Sequence, residues 1–269
     1  MESNCNHDCA NCNADCAIRK DDPNAMSTIR KVIAVMSGKG GVGKSMVASA
    51  LAVMTQRLGF QTAILDADIT GPSIPKSFGI TDKAVGTDVG ILPNRSKTGI
   101  QLASINLMLE DDTQPVVWRG PIIAGAVRQF WTDVIWNNVD VMYIDLPPGT
   151  GDVPLTVLQS IPVDGIVIVT TPQSLVSMVV QKAIKMAGML NVPILGLVEN
   201  MAYFHCPDCG HEHEIFGKSS ALELAQQHGI GNVCRLPINP KLAAAADEGL
   251  LELIDIPELN EFVSKLVEA

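Results

Sequence analysis

The sequence predicts an α/β fold, a doubly wound and mostly parallel sheet with helices on both faces, and three observations predict it. Short β-branched runs recur along the chain, longer helical stretches separate them, and a glycine-rich loop stands at the first junction between the two. A strand followed by a crossover helix and another strand is the unit from which doubly wound sheets are built. Uninterrupted apolar runs, as opposed to alternating ones, belong to strands whose two faces are both covered.

The runs fall at residues 32–35, 62–65, 141–144, 166–169 and 194–198. Between them, 45–58 and 175–190 read as amphipathic crossover helices. Residues 86–99, with Gly, Pro, Asn and Ser and weak periodicity, read as a surface loop or hairpin. Residues 257–268 read as an amphipathic closing helix. A chain of 269 residues, 47% apolar and 18% charged, can bury one large core. Residues 29–269 are therefore expected to form one catalytic domain. Residues 1–28, polar, Cys-rich and poor in aliphatics, are expected to be a metal-binding tail and linker.

Composition narrows the partners. No apolar run approaches the roughly 20 residues of a membrane-spanning helix, so no transmembrane segment is expected. The formal net charge of -10 opposes any partner held by neutralising phosphates. Neither a nucleic acid nor a membrane is expected as a partner. The start, Met1-Glu2-Ser3-Asn4-Cys5, has no basic region followed by an apolar one, so the expectation is a cytoplasmic protein without a secretory leader. In that reducing compartment, clustered cysteines point to metal binding or catalysis before disulfides.

Gly38-Lys39-Gly40-Gly41-Val42-Gly43-Lys44-Ser45 satisfies the phosphate-loop pattern and stands directly after a strand and before a helix. Its glycines let backbone N–H groups curl around phosphate oxygens, Lys44 reaches the β and γ phosphates, and Ser45 ligates Mg2+. Asp145 closes the run at 141–144, where an aspartate holds the magnesium shell, and the following Leu146-Pro147-Pro148-Gly149-Thr150-Gly151-Asp152 reads as a switch sensing the γ phosphate. Asp66 and Asp68 also close a strand. Asp68 is a candidate for positioning the attacking water, with a loop-capping aspartate as the alternative. Lys39 is a lysine that an ordinary phosphate loop does not need.

That second lysine makes the loop resemble the deviant form of the ParA, MinD and nitrogenase-iron-protein group. In that group it reaches across a dimer to the partner's nucleotide, which the resemblance implies here; a solvated surface lysine is the alternative. The combination of residues 38–45, 66–75, Trp118-Arg119-Gly120-Pro121, 143–152, Val198-Glu199-Asn200-Met201 and Cys206-Pro207-Asp208-Cys209-Gly210 resembles the Mrp family of iron-sulfur carrier ATPases, over residues 30–260. The resemblance implies a homodimeric, slow ATPase that carries a [4Fe-4S] cluster to apo iron-sulfur proteins. It also implies that Asn200 contacts the adenine, although on the residues alone an Asn after a strand is as often a turn residue.

Cys5, Cys9, Cys12 and Cys16 place four thiols in a segment too polar to bury them, enough for a cubane cluster or a tetrahedral zinc. This spacing is more compact than the N-terminal motif of eukaryotic Mrp relatives, and many bacterial relatives have none. Cys206 and Cys209 form a knuckle that aims two sulfurs at one site. Two thiolates are half of what a cubane needs, so a shared cluster requires the same pair from a second subunit. The rival is a zinc knuckle completed by His205, His211 or His213. Cys234 reads as a buried strand residue. Two other outputs compete with a cluster carrier. A MinD- or ParA-like positioning switch lacks a basic amphipathic anchor at 261–269. A nitrogenase-type reductase takes its ligands from two separated cysteines, whereas this chain offers a CxxC.

Overall fold

The computed structural model describes residues 20–68, 73–108, 120–173 and 176–268. Strand β1 (Ile29–Ser37) is buried from Val32 onward and leads into helix α1 (Lys44–Arg57). The helix was expected to be amphipathic. Instead every residue from Val47 to Thr55 is buried, because the sheet covers one side and the C-terminal segment the other. Its small alanines permit that double packing.

The chain continues through β2 (Thr62–Asp66), the short α2 (Ile74–Ser77), an exposed hairpin of β3 (Val85–Thr87) and β4 (Gly90–Leu92), β5 (Asn94–Arg95) and β6 (Gln101–Ser104). Then come α3 (Gly120–Asp133), β7 (Val139–Asp145), α4 (Asp152–Ser160), β8 (Gly165–Thr170), α5 (Val176–Met189) and β9 (Ile194–His205). The remaining elements are β10 (Glu212–His213), α6 (Ala221–Gln227), β11 (Val233–Pro237), α7 (Pro240–Asp247) and α8 (Asn260–Glu268).

Among the described residues the main sheet has nine strands in the order β10-β9-β8-β1-β7-β2-β6-β5, with β11 also paired to β9. Pairing is parallel except for β5 on β6 and β10 on β9. One apolar layer joins the sheet to α3, α4, α5 and α6, and the other joins it to α1, α7 and α8. All five expected strands are present. β1 lies between β7 and β8, so the chain leaves it in opposite directions, and this is where doubly wound sheets open a crevice at the strand ends.

The expected domain boundary at 28/29 falls inside packed structure. Arg128 donates from Nε and Nη2 to the two Asp21 carboxylate oxygens at 2.6 and 2.8 Å, and Trp131 Nε1 donates to the Asp21 carbonyl at 2.9 Å. Ser27 Oγ accepts from the Trp136 amide at 2.9 Å. A polar strap can dock by satisfying groups at helix and strand ends without burying aliphatics, which composition does not register. Cys5, Cys9, Cys12 and Cys16 lie outside the described residues, as do Trp118, Arg119 and residues 69–72 of the loop after Asp68.

Where α2 meets α7, backbone rests on backbone. Gly79 and Gly249 have φ of 64° and 71°, and a Cβ on Gly249 would lie 2.5 Å from Gly79 Cα and 2.7 Å from its nitrogen. Gly249→Ala therefore combines left-handed strain with a clash that no rotamer relieves, and should cost about 2 kcal/mol or more. The check is the urea midpoint, expected to fall at unchanged slope; a wild-type midpoint would contradict the packing.

Candidate nucleotide site and cysteine knuckle

The phosphate loop closes on Gly43, whose φ of 78° ends the turn and starts α1 with no side-chain cap. The N–H groups of the helix's first turn are thus open to an anion. Gly43 must also lack a side chain for a second reason: a Cβ there would stand 2.4 Å from Asn200 Nδ2. Asn200, 1% exposed, donates from Nδ2 to the Val42 carbonyl at 2.9 Å. It braces the loop from within β9, where a residue expected after a strand as a turn former proves to lie inside one.

Parallel pairing sets Asp145 level with Asp66 on one side and Val35 on the other. Two carboxylates thereby end adjacent strands at the mouth of the loop, both essentially inaccessible to water. Lys44 Nζ sits 2.5 Å from Asp145 Oδ1 and 3.5 Å from Asp68 Oδ2. Asp66 accepts from Ser104 Oγ at 2.9 Å and from the Asp68 amide at 3.2 Å. Burial, with Asp145 close by, pushes Asp66 up to about 8. Burial also pushes Asp145 upward, against the pull of Lys44 and of the Ser45 hydroxyl.

Among the described residues, the buried Asp145 Oδ2 has no hydrogen-bond partner. An orphaned carboxylate oxygen beside the Ser45 hydroxyl is a pair of hard donors, which fits Mg2+. The cavity over the loop is about 290 Å³ and is lined by Ser37, Lys39 to Met46, Asp68, Ser73 and Pro148. A larger depression of about 420 Å³ lies elsewhere, between α2 and α7, and two of its charged groups, Lys76 and Asp247, pair with each other at 3.7 Å. Gly38, Gly40 and Gly41 complete the loop, and Lys39 stands at its rim, where Nζ donates to Gln173 Oε1 on the exposed surface. Lys39 thus lines the cavity with its Nζ held at the rim.

The knuckle begins where β9 ends. The Cys206 amide donates to the His211 carbonyl and the Gly210 amide to the Cys206 carbonyl, both at 2.9 Å. Cys206 Sγ, Cys209 Sγ and a His213 ring nitrogen lie within 4.8 Å of one another. The backbone amides of Cys209 and Asp208, with the Cys209 side chain, hold the Cys206 thiol below the usual thiol range. Cys234 is the opposite case. It is buried, its thiol donates to the Glu258 carbonyl at 3.2 Å, and desolvation pushes it up to about 12.

A pH dependence follows from Asp66. Its folded value of about 8, against an ordinary 3.8, means that the folded state keeps a proton which the unfolded chain has lost across that window. Stability from this group is fully present at low pH and declines as pH rises toward about 8. Asp66→Asn should flatten the decline between about pH 5 and pH 8, read by urea unfolding without nucleotide or metal. Equal slopes in the two proteins would mean Asp66 is ionised throughout.

Residues 28–268 match the ParA family model described as NUBPL iron-transfer P-loop NTPase. The iron-sulfur cluster carrier protein of Methanocaldococcus jannaschii is 45% identical over 249 residues, 90% of this chain and 86% of its own. That of Clostridium perfringens is 42% identical over 262 residues, 91% of this chain and 92% of its own. Among solved structures, a nucleotide-binding protein of Archaeoglobus fulgidus, in complex with ADP and with Co, aligns at a TM-score of 0.79 and 44% identity, covering 87% of this chain and 92% of that one. The Pyrococcus furiosus cell division ATPase MinD, at 17% identity and a TM-score of 0.64 over 88% of this chain and 97% of its own, shares the fold. With the loop, the strand-end aspartates and the knuckle all inside the matched span, the chain belongs to the ParA-type family of NUBPL-like iron-transfer P-loop NTPases.

Proposed function

We propose that the chain is an ATP-dependent iron-sulfur cluster carrier: it hydrolyses ATP slowly, holds a [4Fe-4S] cluster as cargo, and delivers it to apo iron-sulfur proteins in the cytoplasm. One observation carries the reading. A single strand, β9, touches the phosphate loop through Asn200 and opens at its end into Cys206 and Cys209. Relatives named as iron-sulfur cluster carriers support the cargo.

At the nucleotide end, backbone N–H groups of Gly40 to Ser45 receive the phosphates, and Lys44 turns from Asp145 to the β and γ oxygens. Asp145 is then free to act, with Ser45, as an oxygen ligand. Mg2+ held there supplies charge neutralisation on the phosphates. Asp68, already within reach of Lys44, orients the attacking water. The adenine falls to Asn200, which keeps one amide hydrogen on Val42. Lys39, half-buried at the rim, serves the nucleotide of a second subunit, so hydrolysis waits on a homodimer.

At the cargo end, Cys206 and Cys209 from each of two subunits supply the four thiolates of a shared cubane. Exposure suits transfer, because a recipient thiol must reach the cluster. Cys5, Cys9, Cys12 and Cys16 form a second complete set of four, which their spacing supports.

Lys44→Ala should abolish ATP hydrolysis with the fold intact by circular dichroism. Lys39→Ala should reduce turnover by about 100-fold or more with a smaller loss of ATP affinity, as a group acting in the transition state does. Unchanged turnover in Lys44→Ala would remove the nucleotide assignment. In full-length protein with serine at Cys5, Cys9, Cys12 and Cys16, anaerobic reconstitution should give about one cluster per two chains. Cys206→Ser or Cys209→Ser in that background should lose the cluster, by iron and sulfide analysis, while still binding ATP. Retained cluster would place the cargo elsewhere.

A further inference from the structure

Three histidines flank the knuckle, and the antiparallel register of β10 on β9 separates two of them, His205 and His213. Glu212 lies opposite His205, and His213 lies opposite Phe204. Side chains alternate faces along a strand, so Glu212 and His205 share one face and His213 takes the other. His205 is occupied there: its Nε2 is 4.0 Å from Glu212, and its ring meets Tyr203 edge-on at 5.0 Å. Among the described residues, His213 alone joins the two sulfurs in a compact donor group.

Two thiolates and one imidazole are three of the four donors of a tetrahedral site, with one position left for solvent or an incoming ligand. Sulfur with imidazole selects borderline divalent transition metals over Mg2+ or Ca2+. A cubane shared between two subunits has no use for the imidazole, since two knuckles already supply its four thiolates. His213 therefore has a place only when one chain binds metal by itself.

We propose that Cys206, Cys209 and His213 of a single chain form a three-donor site for one divalent transition-metal ion, such as Fe2+ or Zn2+. Each subunit can then hold an ion before two knuckles meet, and His213 gives up its position when the second pair of cysteines arrives. The inference rests on the knuckle's being a metal site. It does not depend on the ATPase reading.

The probe is Co2+, titrated anaerobically into full-length protein with serine at Cys5, Cys9, Cys12 and Cys16, without nucleotide, with sedimentation run alongside. The expected result is one Co2+ per monomer, with thiolate-to-cobalt charge transfer and the strong d–d bands of a four-coordinate ion. His213→Ala should weaken binding by at least about tenfold and shift the d–d bands. His205→Ala should change neither, and the cluster content of reconstituted His213→Ala dimers should equal that of the parent. Unaltered affinity and spectrum in His213→Ala would overturn the inference and leave the cysteine cargo site standing. One Co2+ per two chains would overturn it in favour of a bridging site. Persistence of charge transfer in the Cys206→Ser, Cys209→Ser double variant would instead remove the knuckle as a metal site, and the carrier reading with it.

Discussion

One ammonium set among buried carboxylates governs this structure. Lys44 is the first residue of α1, and its Nζ reaches Asp145 and Asp68 at the ends of β7 and β2. The parallel sheet forces the conflict, because its register puts Asp66 beside Asp145 and covers both with helices. A single positive charge offsets one carboxylate. The other burial cost is met at Asp66 by holding a proton and by the Ser104 hydroxyl. Breaking a buried pair by removing one member costs about 3–5 kcal/mol, so Lys44 has no reason to leave unless another anion replaces its partners. Phosphate oxygens arriving among the open N–H groups are such an anion. On the proposed reading, the resting site is thus closed by the same charge that binding redirects.

Much of this was legible locally. The five β-branched runs and the loop between residues 38 and 45 announce strands and a phosphate turn, because both signals lie within a few consecutive residues. What depended on long-range packing was not legible. β6 is Gln-Leu-Ala-Ser, with no β-branched residue, and is a strand because β2 offers it a ladder. The burial of α1 on nearly all sides is set by α8, two hundred residues away in sequence. Asp21 looks like linker composition until Arg128 and Trp131 are placed around it. At the knuckle the sequence offered three histidines without a way to choose. Register sets His205 apart from His213, and among the described residues the compact donor group takes His213 alone.

β9 joins the two ends of the molecule, and it does so through an irregular stretch. Against β11 its register slips between the pairings of Glu199 and Tyr203. Met201, the residue after Asn200, takes a φ of 56°, which costs a side-chain-bearing residue about 1–3 kcal/mol unless its surroundings hold it there. They do so on both sides. Asn200 is fixed to the Val42 carbonyl, and buried Glu199 is fixed to Arg235 Nε at 3.1 Å. The same guanidinium reaches Glu214 at 3.3 Å and lies 5.6 Å from the centre of the Tyr203 ring. Two neighbouring residues of β9 are therefore anchored separately, Asn200 to the phosphate loop and Glu199 to the guanidinium that also reaches Glu214 beyond the knuckle.

The contrast between the molecule's thiols shows why the knuckle has to lie where it does. Cys234 sits one strand away from β9, buried, hydrogen-bonded to a carbonyl and pushed up to about 12, which disfavours the thiolate that metal binding and nucleophilic attack require. Cys206 is held below the ordinary range by backbone amides, and its partner Cys209 is exposed. Thiolate character gives affinity, and exposure gives exchange. A structural metal site benefits from the first and is weakened by the second, since closed coordination is what protects such a site. A cargo site needs both together. The nucleotide end obeys the opposite rule, because electrostatic control of phosphoryl transfer strengthens as water is excluded. Placing the two ends on one strand, with one buried in the sheet and the other on a short hairpin beyond it, lets a single fold satisfy both requirements.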